Sequence, residues 1–424
     1  MKSLRICVYS LFVSPLITSI AAFATDSRSA AMATNEFGVD LYRKFATGAE
    51  NLCLSPYSIQ SALAMTFAGA NGETRAEMAR VLHFAPGDEN IHSSFAALQK
   101  SLEEMLAESA KNVGQSKKFG GPSEPITLAI ANRLFAQKGY GFRAAFLALV
   151  KNNYGAPMEP LDFAQNPTGA TKTINDWVAE QTRKRIRDLI PMGALDAMTR
   201  MVLANALYLK APWAEPFEKE QTRPQPFYVH GGEPVDVSMM HEHSHHFGYA
   251  KQPGFTVVSL PYSGGNLNFV VLLPDNVKGL ADFEAKLTPS TLAKCAKLRP
   301  ADIDLSMPKF KFEPSTMALK SQLEALGMKT AFDEPPGSAN FDRLAPRKPN
   351  EYLYLSKVFH KTFIAVDEKG TEAAAATAAA MALAASAIQR DEPIEVKVDR
   401  PFLYLIQHAP SGVCLFLGRV TDPR

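Results

Sequence analysis

Glu368-Lys369-Gly370-Thr371-Glu372-Ala373-Ala374-Ala375-Ala376-Thr377, continuing through Ala378 to Ala380 into Met381-Ala382-Leu383-Ala384-Ala385-Ser386-Ala387, is the stretch on which the reading of this chain turns. By propensity alone it is helix, because alanine loses no side-chain entropy in a helix. Yet it sets no apolar stripe against a polar one, so it has no face with which to dock. On composition it also reads as a low-complexity linker. A third property separates these readings. Residues 371–390 contain neither Pro nor Gly, the two residues that exclude or weaken a central strand. Nearly all the side chains are small, so the segment could slide between neighbouring strands without steric conflict. It has the character of a chain that is exposed in one state and a strand in another.

Outward from this stretch, 353–366 alternates apolar and polar residues as a half-buried strand does, and so does 303–312. The runs 402–407 and 413–417 read as terminal strands. Residues 226–274 are mainly β, with strands expected at 235–240, 256–261 and 267–273. The apolar runs 126–136 and 201–209 suit buried strands. Helices are expected at 33–45, with Phe37, Leu41 and Phe45 on one face, and after Ser55-Pro56, with Pro in the first turn. Others are expected at 74–82 behind a Thr74/Glu77 capping box, and at 95–110, 143–154, 171–190 and 315–326, the last stopped by Gly327. Residues 111–125 read as a loop. Helices dominate the first half and strands the second, an α+β arrangement without a βαβ repeat. No linker divides the chain, which is therefore expected to form one domain.

The 424 residues are 46% hydrophobic and carry a formal charge of only +2, so nothing favours a nucleic-acid partner. Arg183, Lys184, Arg185 and Arg187 read as the solvated face of the 171–190 helix. At the N-terminus, Lys2 and Arg5 precede a short apolar stretch, 6–20, and then Ala22-Phe23-Ala24. That is the pattern of a secretory signal peptide, residues 1–24, with a mature chain from about Thr25. The expectation is a secreted or periplasmic protein that does not span a membrane. Cys7 would leave with that peptide. Cys53, Cys295 and Cys414 are odd in number and far apart, so a large core and not a disulfide framework must stabilise the fold.

The run 368–377 resembles the hinge of inhibitory serpins. The likeness extends over nearly the whole chain. It includes Asn51 with Ser55-Pro56, Ser58-Ile59 and Ala62-Leu63-Ala64-Met65; Asn132-Arg133-Leu134-Phe135; and Tyr154-Gly155-Ala156. It goes on through Ile174-Asn175-Asp176-Trp177-Val178; Asn205-Ala206-Leu207-Tyr208-Leu209-Lys210 with Trp213 and Phe217; and Pro308-Lys309-Phe310. It ends with Arg400-Pro401-Phe402-Leu403-Tyr404 and Phe416-Leu417-Gly418-Arg419-Val420. Each match is weak alone, and their common order is specific.

The resemblance implies an α+β serpin fold over 25–424, with about nine helices, three β-sheets and an exposed reactive-centre loop at about 368–394. It implies a monomeric suicide-substrate inhibitor, not an enzyme, with no cofactor. Its partner would be a serine protease trapped in a covalent complex after the cleaved loop inserts into the main sheet. It also implies a hinge at Glu368, Gly370, Thr371, Glu372 and Ala373, Ala374, Ala375 and Ala376, with a Lys309–Glu368 ion pair at the loop's base. A polar "shutter" is implied at Ser55, Ser58, Asn205 and His360, and a "breach" tryptophan at Trp213. Counting forward from Gly370 puts the scissile bond between Ala384 and Ala385, which implies an elastase-like target. Counting back from Glu395-Val396-Lys397 points to Arg390 and a trypsin-like target. The loop is about six residues longer than the common pattern, so both counts cannot hold. Ala384 is favoured, with Leu383 a near alternative. The other reading of the same fold is a non-inhibitory serpin acting as a binding or chaperone-like protein.

Two patterns point elsewhere. Gly139-x-Gly141-x-x-Ala144 with Glu159 imitates a dinucleotide-binding fingerprint, but no following parallel βαβ unit is expected. His241-x-His243-x-His245-His246 has metal-ligand chemistry, but no carboxylate beyond Glu242 stands near it in sequence. It reads as a polar hairpin or pH-sensitive patch, and no metal is expected.

Overall fold

The segment Met201-Val-Leu-Ala-Asn-Ala-Leu-Tyr-Leu209 is apolar on both of its alternating faces, the pattern of a strand covered on both sides. In the computed structural model, which describes residues 16–85, 90–116, 124–348, 351–372 and 392–424, it forms the centre of the fold. Among the described residues there are nine α-helices: α1 (Leu16–Phe45), α2 (Pro56–Gly69), α3 (Gly72–Val81), α4 (Ile91–Ser116), α5 (Ala144–Tyr154), α6 (Pro167–Gln181), α7 (Leu280–Lys286), α8 (Pro289–Cys295) and α9 (Lys320–Leu326). The strands are β1 (Leu52–Leu54), β2 (Thr127–Gln137), β3 (Glu159–Leu161), β4 (Met201–Pro212), β5 (Arg223–Tyr228), β6 (Pro234–Gln252), β7 (Phe255–Pro261), β8 (Leu267–Pro274) and β9 (Arg299–Pro308). They continue with β10 (Phe310–Phe312), β11 (Met317–Ala318), β12 (Leu355–Thr362), β13 (Ile364–Asp367), β14 (Gly370–Thr371), β15 (Ile394–Lys397), β16 (Phe402–His408) and β17 (Val413–Val420).

One sheet has the order β10-β13-β14-β4-β12-β11, with β2 pairing β4 and β3 pairing β2. The other runs β1-β17-β16-β8-β7-β6-β9-β15, with β5 on β6. The three sheets expected from the resemblance are thus joined into two hydrogen-bonded units. The joint is β6, whose start pairs β5, whose end pairs β7 and whose middle, from Met239 to Tyr249, pairs β9.

The period-2 alternation of β4 divides the core. Met201, Leu203, Leu207 and Leu209 face one large cluster with α1, α2 and the second sheet. Val202, Ala204, Ala206 and Tyr208 face the other way, beneath Ile174 and Val178 of α6. α2 is buried along its whole length, opened by Pro56 and by the Ser55 hydroxyl, which accepts from Ser58 N at 3.2 Å.

Several expectations are corrected. α6 ends at Gln181, not 190, because Arg183 and Lys184 take φ of +52° and +63°. The basic cluster therefore sits in the turns after the helix. Thr74 and Glu77 do not form a capping box; Asn71 occupies the N-cap position of α3, without a side-chain capping bond, and the Thr74 and Glu77 side chains are buried. Glu77 instead accepts from Lys329 N (2.8 Å), Thr330 N (2.7 Å) and the Thr330 hydroxyl (2.9 Å). α4 continues to Ser116, into the stretch read as a loop. The 315–326 helix starts only at Lys320, because Met317–Ala318 pairs with β12. A parallel strand–helix–strand unit does exist, β2-α5-β3. Its Glu159, however, is bound to Arg133 at 2.5 Å, and β2's other neighbour is antiparallel. The histidine run is no hairpin but the middle of β6. α1 begins at Leu16, upstream of the expected mature start. No described helix is long and apolar enough to cross a membrane. Cys53, Cys295 and Cys414 are buried free thiols.

Replacing Glu77 with Ala strands two backbone N–H groups of the 329–330 turn. A cost of about 2–3 kcal/mol is expected, read as a lowered urea midpoint at unchanged m-value.

Candidate functional site at the seam between two parallel strands

β4 and β12 are parallel neighbours, paired from Leu355 opposite Met201 and, after one shift of register, without a break from Lys357 opposite Val202 to Thr362 opposite Leu207. Parallel pairs are slightly weaker per residue than antiparallel ones, and this one lies between antiparallel partners, β2 beside β4 and β11 beside β12. Under its middle lies a polar cluster in an otherwise apolar interior. Asn205 of β4 is opposite His360 of β12 and opposite Asn132 of β2. The Asn205 amide donates to Ser58 Oγ at 2.5 Å and to Asn132 Oδ1, while its oxygen bonds His360 Nδ1. Ser55 N donates to His360 Nε2 at 3.1 Å. Ser58 Oγ donates to Asn132 Oδ1 at 3.0 Å, and Asn132 Nδ2 returns a bond to Ser58 O at 3.1 Å. Ser55, Ser58, Asn205 and His360 are all fully buried.

This geometry fixes the imidazole. Nε2 accepts from a backbone N–H, so the proton sits on Nδ1 and points at Asn205. Burial pushes the His360 pKa down to about 3, which keeps the ring neutral. The four expected shutter residues are thus brought together. Asn132 is a fifth member that sequence reasoning noted only as part of a motif. Its signal was legible: like Asn205, it is a lone amide in the middle of an apolar strand run.

At the upper end of the seam the chain turns back at Asp367-Glu368-Lys369-Gly370, and β14 enters between β13 and β4. Gly370 and Thr371 pair with Pro212 and Ala211 on one side and with Asp367 and Val366 on the other. Glu372 N adds a bond to Ala365 O at 2.7 Å. Gly370 has φ +149°, and a Cβ there would meet Ala211 O and lie 2.8 Å from Pro212 Cα, so only glycine fits. The Thr371 side chain is buried and bonds the Tyr262 hydroxyl at 2.5 Å.

Trp213 holds the turn. Its Nε1 donates to Asp367 O and its backbone N to Lys369 O, both at 2.9 Å, and its ring stacks on Tyr262 with centroids 4.6 Å apart. The expected Lys309–Glu368 ion pair is present at 2.9 Å, and Thr222 also donates to Glu368 at 2.9 Å. Burial alone would raise the Glu368 carboxyl, but the bonds from Lys309 and Thr222 outweigh it and leave it below its ordinary value. Glu372, raised by burial, pairs with Arg185 at 2.5 Å. Tyr262 and Thr222 had no signal in the sequence. The remaining expected positions, Ala373, Ala374, Ala375 and Ala376 of the hinge and Leu383, Ala384, Ala385 and Arg390 around the scissile bond, lie outside the described residues.

The family model of the serpins, the serine protease inhibitors, matches residues 32–423. The chain belongs to the serpin family. A leukocyte elastase inhibitor of Bos taurus is 38% identical, the match covering 92% of this chain and 98% of that one. Among solved structures, Serpin48 of the insect Tenebrio molitor matches with a TM-score of 0.76 at 30% identity, over 95% of this chain and 99% of that one. The thermophilic serpin Tengpin in its native state gives 0.78 at 27% identity, over 92% and 94%. The α+β serpin fold is thereby established. By family this serpin is an inhibitor and not an enzyme, and its partner class is the serine proteases.

Two outcomes follow for the seam. Asn205→Ala, which leaves the buried His360 Nδ1 without its partner, is expected to cost roughly 1–3 kcal/mol in denaturant unfolding. His360, His92 and His408, with pKa values lowered by burial to about 3, 4 and 4, stay neutral when folded and take up protons on unfolding. Unfolded histidine titrates near 6.5, so stability is complete above about pH 6.5 and falls as pH drops towards these lowered values. At pH 5, His360→Gln should remove about one proton of uptake and flatten the slope by about 1.4 kcal/mol per pH unit.

Proposed function

We propose that this serpin inactivates its protease as a suicide substrate. The observation that carries the proposal is β14, the start of the hinge, already paired between β13 and β4 at the head of the parallel seam. The protease serine attacks the carbonyl of Ala384, the amine of Ala385 departs, and an ester links the loop to the enzyme. Strand addition then continues from Thr371 downward, parting β4 from β12. One parallel pairing is replaced by two antiparallel ones, because β14 runs antiparallel to β4. About 10 new backbone hydrogen bonds at ~1 kcal/mol each supply on the order of 10 kcal/mol. That is enough to distort an oxyanion hole in a protease dragged along the sheet before deacylation.

The alanine-rich residues after Glu372 suit this path, since they need little room beneath α6. Kinship with a leukocyte elastase inhibitor supports an elastase-like target and cleavage after Ala384. Cleavage after Arg390 would leave a longer, slacker tether and direct the inhibitor to trypsin-like enzymes. The N-terminal pattern of Lys2, Arg5 and Ala22-Phe23-Ala24 supports export to the secreted or periplasmic space.

The serpin mixed with pancreatic elastase or trypsin should give an SDS- and heat-resistant band near the summed masses. The released C-terminal peptide should begin at Ala385 by mass spectrometry, or at Asp391 if Arg390 is used. Cleavage without such a band by proteases of varied specificity would leave the fold and remove the mechanism. Thr371→Arg places a charge in the Tyr262 pocket. It should leave cleavage intact while abolishing the stable band and the gain in heat resistance that follows loop insertion.

A further inference from the structure

Where β6 passes the lower end of β9, the pairing slips. Ser244 lies opposite Ile303 and Phe247 opposite Ala301, so His245 and His246 together face the single residue Asp302. Such a bulge re-aims side chains. It leaves His243 and His245 on one face of β6, as residues two apart on a strand are, with ring centroids 5.1 Å apart. Both rings converge on one carboxylate oxygen: His243 Nε2 lies 2.6 Å and His245 Nδ1 2.9 Å from Asp302 Oδ1. The ligand-capable atoms of the three residues all lie within 4.8 Å of one another.

The bulge is braced on the opposite side. Ser244, which is buried, donates to Glu215 and accepts from His246 N at 2.9 Å, and Glu215 also binds the His246 ring. His241 pairs separately with Asp304 at 3.1 Å. The backbone carrying His243 and His245 is therefore fixed, and their rings are half-exposed.

We propose that His243, His245 and Asp302 form a binding site for a zinc-class transition-metal dication, bridging β6 and β9. Two imidazole nitrogens and one carboxylate oxygen are a donor set suited to zinc, copper or nickel and ill suited to magnesium or calcium. Metal–ligand bonds of about 2.1 Å at tetrahedral angles need donors roughly 3.4 Å apart. Small ring rotations open the 2.6 and 2.9 Å separations to that span. The outer face is open, so water completes the coordination. The ion would clamp β9, whose other edge carries β15, the first described strand after the alanine-rich segment. It should therefore raise the unfolding temperature of the intact serpin.

The test is calorimetric titration of the full chain, made without a polyhistidine tag, with zinc chloride. One saturable site is expected, together with a raised Tm and no response to magnesium or calcium. His243→Ala and Asp302→Asn should each weaken binding by at least about tenfold, whereas His246→Ala should keep the wild-type affinity. Saturation absent below about 1 mM, or undiminished in the His243→Ala/His245→Ala double variant, would overturn the proposal. So would an equal loss in His246→Ala. Should the double variant fail to fold, cobalt loaded on the wild-type chain gives a second reading. A visible absorption band displaced by one equivalent of zinc supports the site, and its absence removes it.

Discussion

The hydrogen bonds that Asn205 makes to His360, Ser58 and Asn132 hold together the part of this molecule on which the rest depends. A parallel pair at the heart of a sheet would otherwise be cemented by apolar side chains alone and would have no preferred line of separation. Placing amides, hydroxyls and a neutral imidazole beneath that pair makes its closure conditional on specific partners. An unpaired polar group in the interior costs far more than a satisfied one gains. The seam is thus firm when closed, and it can reopen without loss only if new partners replace the old.

The head of the seam shows the same logic in the opposite sense. Trp213, Lys309 and Thr222 converge on a turn of four residues and pin it by its backbone and its carboxylate, and Tyr262 holds the hydroxyl of Thr371 that follows it. Below that turn, β14 takes only two residues of chain into the sheet. Gly370 makes the entry possible because no side chain fits against Ala211 and Pro212. The chain is therefore pinned where it leaves this turn, and the residues that follow Glu372 in the sequence have small side chains.

Away from the seam, β6 joins two sheets through one continuous strand, and its bulge lies where the pairing passes from one to the other. The run of histidines in the sequence marks that passage. Its carboxylate partners, Glu215, Asp302 and Asp304, come from far along the chain.

Most of the fold was legible because periodicity and burial coincide. The apolar runs of β4, β8, β16 and β17 are strands covered on both faces, and Ser55-Pro56 starts α2 as its chemistry requires. The family's ordered motifs also picked out the residues that cluster around Asn205, the tryptophan at the turn, Trp213, and the Lys309–Glu368 pair. Local patterns misled where tertiary partners outbid them. Thr74 and Glu77 had capping chemistry but serve distant backbone groups, and the basic turns after Gln181 kept helical spacing without a helix. No pattern in the chain could show that Tyr262 receives Thr371 or that Asp302 meets two histidines. By itself the sequence determined which segments are strands and helices, because side-chain period and backbone propensity act over a few residues. Only the tertiary structure decided which strands are neighbours and which polar groups meet, because those contacts join residues tens to hundreds of positions apart and depend on register.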